Sequence, residues 1–269
     1  MTPMLLGQLV KYPTKYSPDI LCAMQRSETR IGLGIDGDLP FHGEDSWNGW
    51  ELTWLDTTGK PVIATVSIRV DAESPGIVES KSLKLYLGSL STTRYGSASD
   101  VEQVISTDLE NIVGAPVEID IFPGADPTFG AVSSLPGTCV DDLPFQNVRD
   151  QVDASLLSAT GKTVEDELHS HLLRSLCPIT NQPDIGSVLL RYKGPRINPS
   201  TFLNYIVSFR QHHDFHEACV ERIFLDIKRQ CHPRQLTVHA FYNRRGGMDI
   251  NPFRSDCETD PQELRLWRQ

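Results

Sequence analysis

Apolar residues recur with the spacing of an amphipathic helix in two places separated by a fixed interval. Leu83, Tyr86, Leu87 and Leu90 stand at i, i+3, i+4 and i+7, on one face of a helix. Phe202, Tyr205, Ile206 and Phe209 repeat the stripe 119 positions later, and Ser89 and Ser208 share that offset. A second helix is predicted after each. Val101, Val104 and Ile105 begin an apolar face behind Ser99-Asp100-Val101-Glu102, which has the form of a capping box. Val220, Ile223 and Phe224 match them 119 positions on. Each half then reaches an alternating strand, Val117, Ile119 and Ile121 in the first and Leu236, Val238 and Ala240 in the second. One interval shared by two helices and a strand predicts a duplicated αα-β unit.

Strands are predicted ahead of each helix pair. Trp50 to Trp54 leads into a turn at Asp56 to Lys60, after which Val62, Ala64, Val66, Ile68 and Val70 alternate with polar residues. Ser187 to Tyr192 is the strand candidate of the second half, and Asn198-Pro199 reads as a helix cap followed by proline at the first helical position. The irregular, Pro/Gly-rich stretch from Phe122 to about Pro144 reads as the joint. The expectation is an α+β chain of two domains, 1–145 and 146–269.

Composition narrows the function. The 269 residues suffice for one large domain or two small ones, and 39% hydrophobic with 22% charged residues is globular composition. A net charge of -10 and a pI near 5.2 repel a nucleic-acid backbone, so no direct nucleic-acid partner is expected, while a small base or nucleotide remains compatible. No apolar run approaches the roughly 18–20 residues of a membrane span, and the opening Met1 to Pro13 is too interrupted for a secretory core. Cys22, Cys139, Cys177, Cys219, Cys231 and Cys257 include no C-x-x-C pair. They read as free thiols in a reducing, cytoplasmic compartment, with no metal expected.

Four segments carry candidate chemistry. Ser175-Leu176-Cys177-Pro178-Ile179-Thr180-Asn181-Gln182-Pro183-Asp184 is dense in turn residues, and a loop thiol with a nearby carboxylate suits nucleophilic and acid–base work. An incidental cysteine in a structural loop fits the same spacing. Phe215-His216-Glu217-Ala218-Cys219-Val220-Glu221 is not the zinc motif H-E-x-x-H, because Val220 stands where the second histidine belongs. Glu217 suits either a helix N-terminus or the paired N–H donors of a guanine-like edge. Arg244-Arg245-Gly246-Gly247 fits a phosphate or a surface turn. Glu79-Ser80-Lys81-Ser82-Leu83-Lys84 sets one carboxylate and two amines at the start of the first striped helix, where Glu79 could serve only the helix dipole.

Together these segments resemble one family. Glu79 to Leu87 looks like the E-S-K-S-x-K-L-Y motif of the 7-cyano-7-deazaguanine reductases of queuosine biosynthesis, and Ser175-Leu176-Cys177-Pro178 with Gln182-Pro183-Asp184 resembles their nucleophile loop. Ser208-Phe209-Arg210, Asp214-Phe215-His216-Glu217 and Arg244 to Pro252 match further blocks. Leu39-Pro40-Phe41-His42-Gly43 and Gly137-Thr138-Cys139-Val140-Asp141-Asp142 look like features of the long, two-domain branch, while Gly124 to Ser134 matches nothing.

The resemblance implies tandem tunnelling-fold domains, antiparallel sheets with a helix pair on one face, associating as a homodimer. It implies a site composed between the halves or between subunits. Cys177 is then the nucleophile and Asp184 the proton donor. Val78, Glu79, Ser80, His216 and Glu217 bind the substrate base, and Ser80, Lys81, Arg245 and Gly246 hold NADPH. The alternatives are a pterin- or purine-acting cyclohydrolase-like enzyme of the same fold, with zinc on Cys and His, and a non-catalytic purine-binding module in which Cys177 is structural.

Overall fold

The computed structural model describes residues 12–124, 131–145 and 151–269. The opening segment, most of Gly124 to Ser134 and the residues just past the expected boundary at 145 lie outside this set. In chain order the elements are β1 (Ala23–Gln25), α1 (Arg26–Leu33), β2 (His42–Leu55), β3 (Pro61–Asp71), β4 (Gly76–Val78), α2 (Ser80–Ser89), α3 (Ala98–Val113), β5 (Val117–Pro123), β6 (Val132–Ser133), β7 (Thr138–Cys139), β8 (Ala159–Leu176), β9 (Pro183–Ile197), α4 (Pro199–Val207), α5 (His216–Cys231), β10 (Gln235–Tyr242), β11 (Met248–Ser255) and β12 (Arg265–Leu266). The chain is α+β.

It divides into two compact units, taken over their described residues: Met1–Asp36, Asp45–Ala131 and Arg244–Asp249 in the first, and Gly37–Glu44, Val132–Asn243 and Ile250–Gln269 in the second. Each unit therefore holds short segments from the other's stretch of sequence.

In the first unit the strands run in the order β5-β3-β2. The β2–β3 turn is fixed by Asp56, whose Oδ1 accepts the Thr58 and Lys60 N–H groups at 2.8 and 3.0 Å. Ala64, Val66, Ile68 and Val70 are buried, as their alternation predicts. Leu83, Tyr86, Leu87 and Leu90 are buried as well, so the striped face of α2 is the core face.

In the second unit the order is β11-β10-β9-β8-β7. The pairings are antiparallel except for β7 on β8 and a small β6–β12 pair. Phe202, Tyr205, Ile206 and Phe209 on the α4 side and Val220, Ile223 and Phe224 on α5 are all buried. Alternation did not announce β8. Irregularities between Thr160 and Thr163 and between Ser170 and Leu173 interrupt its two-residue period, and its first half is largely exposed and polar.

The duplication extends to individual hydrogen bonds. Ser89 donates to the Tyr86 carbonyl and Ser208 to that of Tyr205, each at 2.6 Å. Each serine oxygen also accepts a backbone N–H from the start of a preceding 3-10 turn, Ser17 at 3.2 Å and Asp153 at 3.4 Å. Ser82 and Thr201, again 119 apart, accept the N–H groups of Cys22 and Ser158 at 3.3 and 3.2 Å. Tyr86 donates to Asp108 at 2.6 Å and Tyr205 to Asp226 at 2.7 Å, tying together the two helices of each pair. Burial, then the facing carboxylate, pushes both phenols well above their ordinary range, so both remain donors at neutral pH.

Two details depart from the sequence pattern. The interval is 119 between α2 and α4 but 118 between the ends of α3 and α5, and between Asp108 and Asp226. One residue fewer thus separates Tyr205 from the start of α5 than separates Tyr86 from the start of α3. The cap of α3 is Ser97, which accepts the Asp100 N–H at 3.2 Å, and not Ser99, which lies within the first turn.

These bonds set a stability order. Tyr205→Phe deprives a buried carboxylate of its phenol donor and is expected to lower the unfolding free energy by about 1–3 kcal/mol. Tyr86→Phe is expected to cost less, because Asp108 also accepts from Tyr16 at 2.6 Å. Urea unfolding of the two variants checks this, and equal losses would show that Tyr16 does not share the load.

Candidate active site

The second unit builds its chemistry on the β8–β9 hairpin. Ser175 faces Asp184 and Leu176 faces Pro183, so the connecting loop begins at Cys177 and ends at Gln182. Cys177 N–H donates to the Gln182 carbonyl, and Asn181 N–H to the Cys177 carbonyl, each at 3.0 Å. Near the end of the loop Asn181 takes the left-handed conformation, with φ 58°, which asparagine tolerates better than most residues. Cys177 is only 4% exposed, where its loop position had suggested a reachable thiol.

The segment leading into α5 is fastened to the same hairpin. Leu176 N–H donates to the His212 carbonyl at 2.8 Å, and Asp214 N–H donates to the Leu176 carbonyl at 3.2 Å. His213 Nε2 and Asn181 Oδ1 are 3.0 Å apart. The residues that open α5 are thereby delivered to the hairpin that carries Cys177. His216 Nε2 lies 3.4 Å from Asp184 Oδ2, and Asp184 is itself buried. Glu217 is buried in the first helical turn, where the helix dipole favours a carboxylate.

Sequence reasoning missed Tyr242. Its ring lies 4.0 Å from that of His216, and its strand partner is Gly186, where an added Cβ would fall 3.1 Å from the tyrosine ring. Burial, then Cys219 and Asp184, raises the Tyr242 phenol well above its ordinary range. Burial, then Asp214, raises the Cys219 thiol likewise. With Ser175 they form a neutral, fully buried polar layer beside Asp184. The available signal was the aromatic end of a strand whose neighbour carries a glycine.

The first unit holds the remaining candidates. Val78 ends β4 and is buried. Glu79 caps α2: its two carboxylate oxygens accept the Lys81 and Ser82 N–H groups, each at 2.8 Å, and Cys22 Sγ lies 3.8 Å from Oε2. The capping alternative for this residue is therefore realised, although a carboxylate has about four acceptor sites and the cap occupies two. Ser80 and Lys81 stand partly exposed in the first turn of the helix.

The Arg244 to Gly247 turn is held against β2, with Trp50 N–H donating to the Gly247 carbonyl at 2.8 Å and the Arg244 guanidinium 5.8 Å over the Trp50 ring. Gly246 and Gly247 have φ of 61° and 79°, backbone that L side chains rarely adopt. A Cβ on Gly246 would sit 3.2 Å from Lys84, and one on Gly247 would meet the Glu51 carboxylate at 2.7 Å. The turn thus offers exposed backbone beside three cationic side chains, with one carboxylate at its far end.

Comparison with known proteins extends over the whole chain. A family model described as nitrile reductase, 7-cyano-7-deazaguanine-reductase N-term, matches residues 12–121, and one described as QueF-like protein matches residues 183–261. The chain is 48% identical over 267 residues to the NADPH-dependent 7-cyano-7-deazaguanine reductase of Bordetella avium, covering 98% of this chain and 97% of that protein. It is 45% identical over 273 residues to the protein of the same name from Saccharophagus degradans, covering 100% of each. Neither name favours the cyclohydrolase-like or the purine-binding alternative. By two family models and by relatives matched from end to end, the chain belongs to the 7-cyano-7-deazaguanine reductase family of nitrile reductases.

Proposed function

We propose that this protein reduces 7-cyano-7-deazaguanine to 7-aminomethyl-7-deazaguanine with two NADPH, as a step of queuosine biosynthesis. The observation that carries the reading is a buried cysteine in a closed hairpin loop whose strand also bears Asp184, in a chain related over its full length to reductases of that name. The Cys177 thiolate adds to the nitrile carbon, and the displaced π pair on nitrogen takes a proton from the Asp184 carboxyl, giving a thioimide and leaving Asp184 a carboxylate. His216, beside Asp184, holds that carboxyl in place. When bound, NADPH supplies hydride, two equivalents for a four-electron reduction. Cys177 departs as thiolate once the carbon is reduced. The Glu217 carboxylate accepts the ring N–H and exocyclic amine of the base, beside His216; Val78, Glu79 and Ser80 are the base-binding candidates that the first unit carries.

Ser80, Lys81, Arg245 and Gly246 are the NADPH residues of this reading. The left-handed backbone at Gly246, with Lys84 against it, suits a phosphate. The repeated strand–strand–helix–helix–strand order supports tandem tunnelling-fold domains, with the joint in the irregular stretch near residue 145. The acidic net charge supports a small-molecule substrate without direct nucleic-acid contact. Six free cysteines support a reducing cytoplasm, and among the described residues no helix is long and apolar enough to cross a membrane. A homodimer completes the reading, on the resemblance to a fold that closes by association.

Three experiments test it. Protein mixed with the nitrile in the absence of NADPH is expected to gain the mass of one intact substrate, because addition expels nothing. Cys177→Ala is expected neither to form the adduct nor to oxidise NADPH, and an adduct that persists in this variant would remove the covalent step. Asp184→Asn is expected to bind the nitrile yet turn over about a hundredfold or more slowly; near-normal turnover would assign the proton to another donor. Glu217→Gln sets an amide donor against a donor edge and is expected to weaken binding of the nitrile by about 2–3 kcal/mol, measured by titration calorimetry. Wild-type affinity would leave Glu217 a structural role only.

A further inference from the structure

A second cluster of reactive side chains lies in the second unit, on residues the proposed reaction does not use. β7 lies parallel to β8 with Cys139 directly opposite His169, and His171 stands two residues further along β8. One ligand-capable atom from each of Cys139, His169 and His171 lies within 4.8 Å of the others. His169 is buried, His171 half-buried and Cys139 exposed.

The surroundings orient these groups. His169 Nδ1 is 2.8 Å from the Pro136 carbonyl. A carbonyl only accepts, so Nδ1 carries the proton and the lone pair of this ring is on Nε2. His171 Nδ1 is 2.8 Å from Ser187 Oγ, a partner that can fix the same tautomer. Imidazoles that hold a metal through one nitrogen and a carbonyl or hydroxyl through the other have this arrangement.

The chain that presents Cys139 is also fastened in place. Gly137 has φ 78°, and a Cβ there would strike the Glu167 carbonyl oxygen at 2.5 Å, so only glycine lets β7 approach β8 this closely. Val140 N–H donates to the His169 carbonyl at 3.0 Å, and the Asp141 carboxylate accepts from Ser170 Oγ at 2.7 Å and from the His171 N–H at 3.0 Å.

We infer that Cys139, His169 and His171 form a binding site for a borderline divalent cation of the zinc type, held by one thiolate and two imidazoles with solvent in the fourth position. Sulfur and imidazole together select this class over magnesium or calcium, which take oxygen ligands. Bonds of about 2.0–2.3 Å draw the three atoms inward by roughly an ångström or less. Binding releases the thiol proton to solvent. The ion staples β7 to β8, and the exposed face at Cys139 is its entrance.

The test uses the full-length protein stripped of metal with a chelator and then incubated with excess zinc. One zinc per chain is expected to remain after gel filtration, and X-ray absorption of the zinc-loaded wild type is expected to show one sulfur and two imidazole nitrogens. Cobalt(II) is expected to give a thiolate-to-metal charge-transfer band that vanishes in Cys139→Ala and survives in Cys177→Ala. Ser187→Ala, which removes a supporting hydroxyl, is expected to weaken zinc binding about tenfold. Substoichiometric zinc, an oxygen-only shell, a band retained in Cys139→Ala or a band lost in Cys177→Ala would each overturn the assignment. The wild-type absorption measurement decides the matter even if a variant fails to fold.

Discussion

Leu176 makes two backbone hydrogen bonds outside the β8–β9 ladder, and the proposed reaction centre hangs on them. Its N–H goes to His212 and its carbonyl takes the Asp214 N–H, while Pro183, facing it across the hairpin, has no N–H to offer. One strand end is thus bonded to the segment that becomes α5. Losing either bond would leave a buried backbone group unsatisfied, at a cost of about 1–3 kcal/mol. The position of Cys177 relative to the start of α5, the 3.4 Å approach of His216 to Asp184 and the placement of Glu217 in the first helical turn all follow from this junction.

The duplicated units keep their braces and differ at the positions that the braces do not constrain. The serine bridge, the hydroxyl that receives the incoming chain and the tyrosine–aspartate tie recur in both. The hairpin turns have diverged: the first is closed by Asp56, and the second presents a cysteine. The caps of α2 and α4 also differ, Glu79 in one unit and Asn198 in the other, although each accepts N–H groups from its own first turn. A turn needs only a suitable φ and a cap needs only an acceptor, so either can change chemistry without disturbing the core.

Much of this was legible in the sequence because it depends on period. The stripes of α2 and α4 bury the residues their spacing selected, and Asn198-Pro199 caps and opens α4 as its residue types imply. What escaped was set by contacts between distant residues. β8 hides its alternation behind two irregularities, and Ser97 and Ser99 are equally good caps until the preceding chain selects one. The motifs for Cys177 and Asp184 were readable, but not the burial of the thiol or the stacking of Tyr242 on His216, which arise from hairpin closure and strand register. Cys139 and His169 are likewise brought together by a parallel register that no local spacing encodes.

The interleaving of the two units bears on how the protein is made. A ribosome releases the chain from its N-terminus, and domains generally fold in that order. The first unit contains Arg244–Asp249, which follow residues 132–243 of the second unit in the sequence. It therefore cannot complete its own structure until nearly all of the second unit has been synthesised, and its β2 segment must wait for the turn that will bond to Trp50. A messenger truncated after the first half would yield a polypeptide with an unfinished sheet edge, a species suited to aggregation or degradation rather than to partial function.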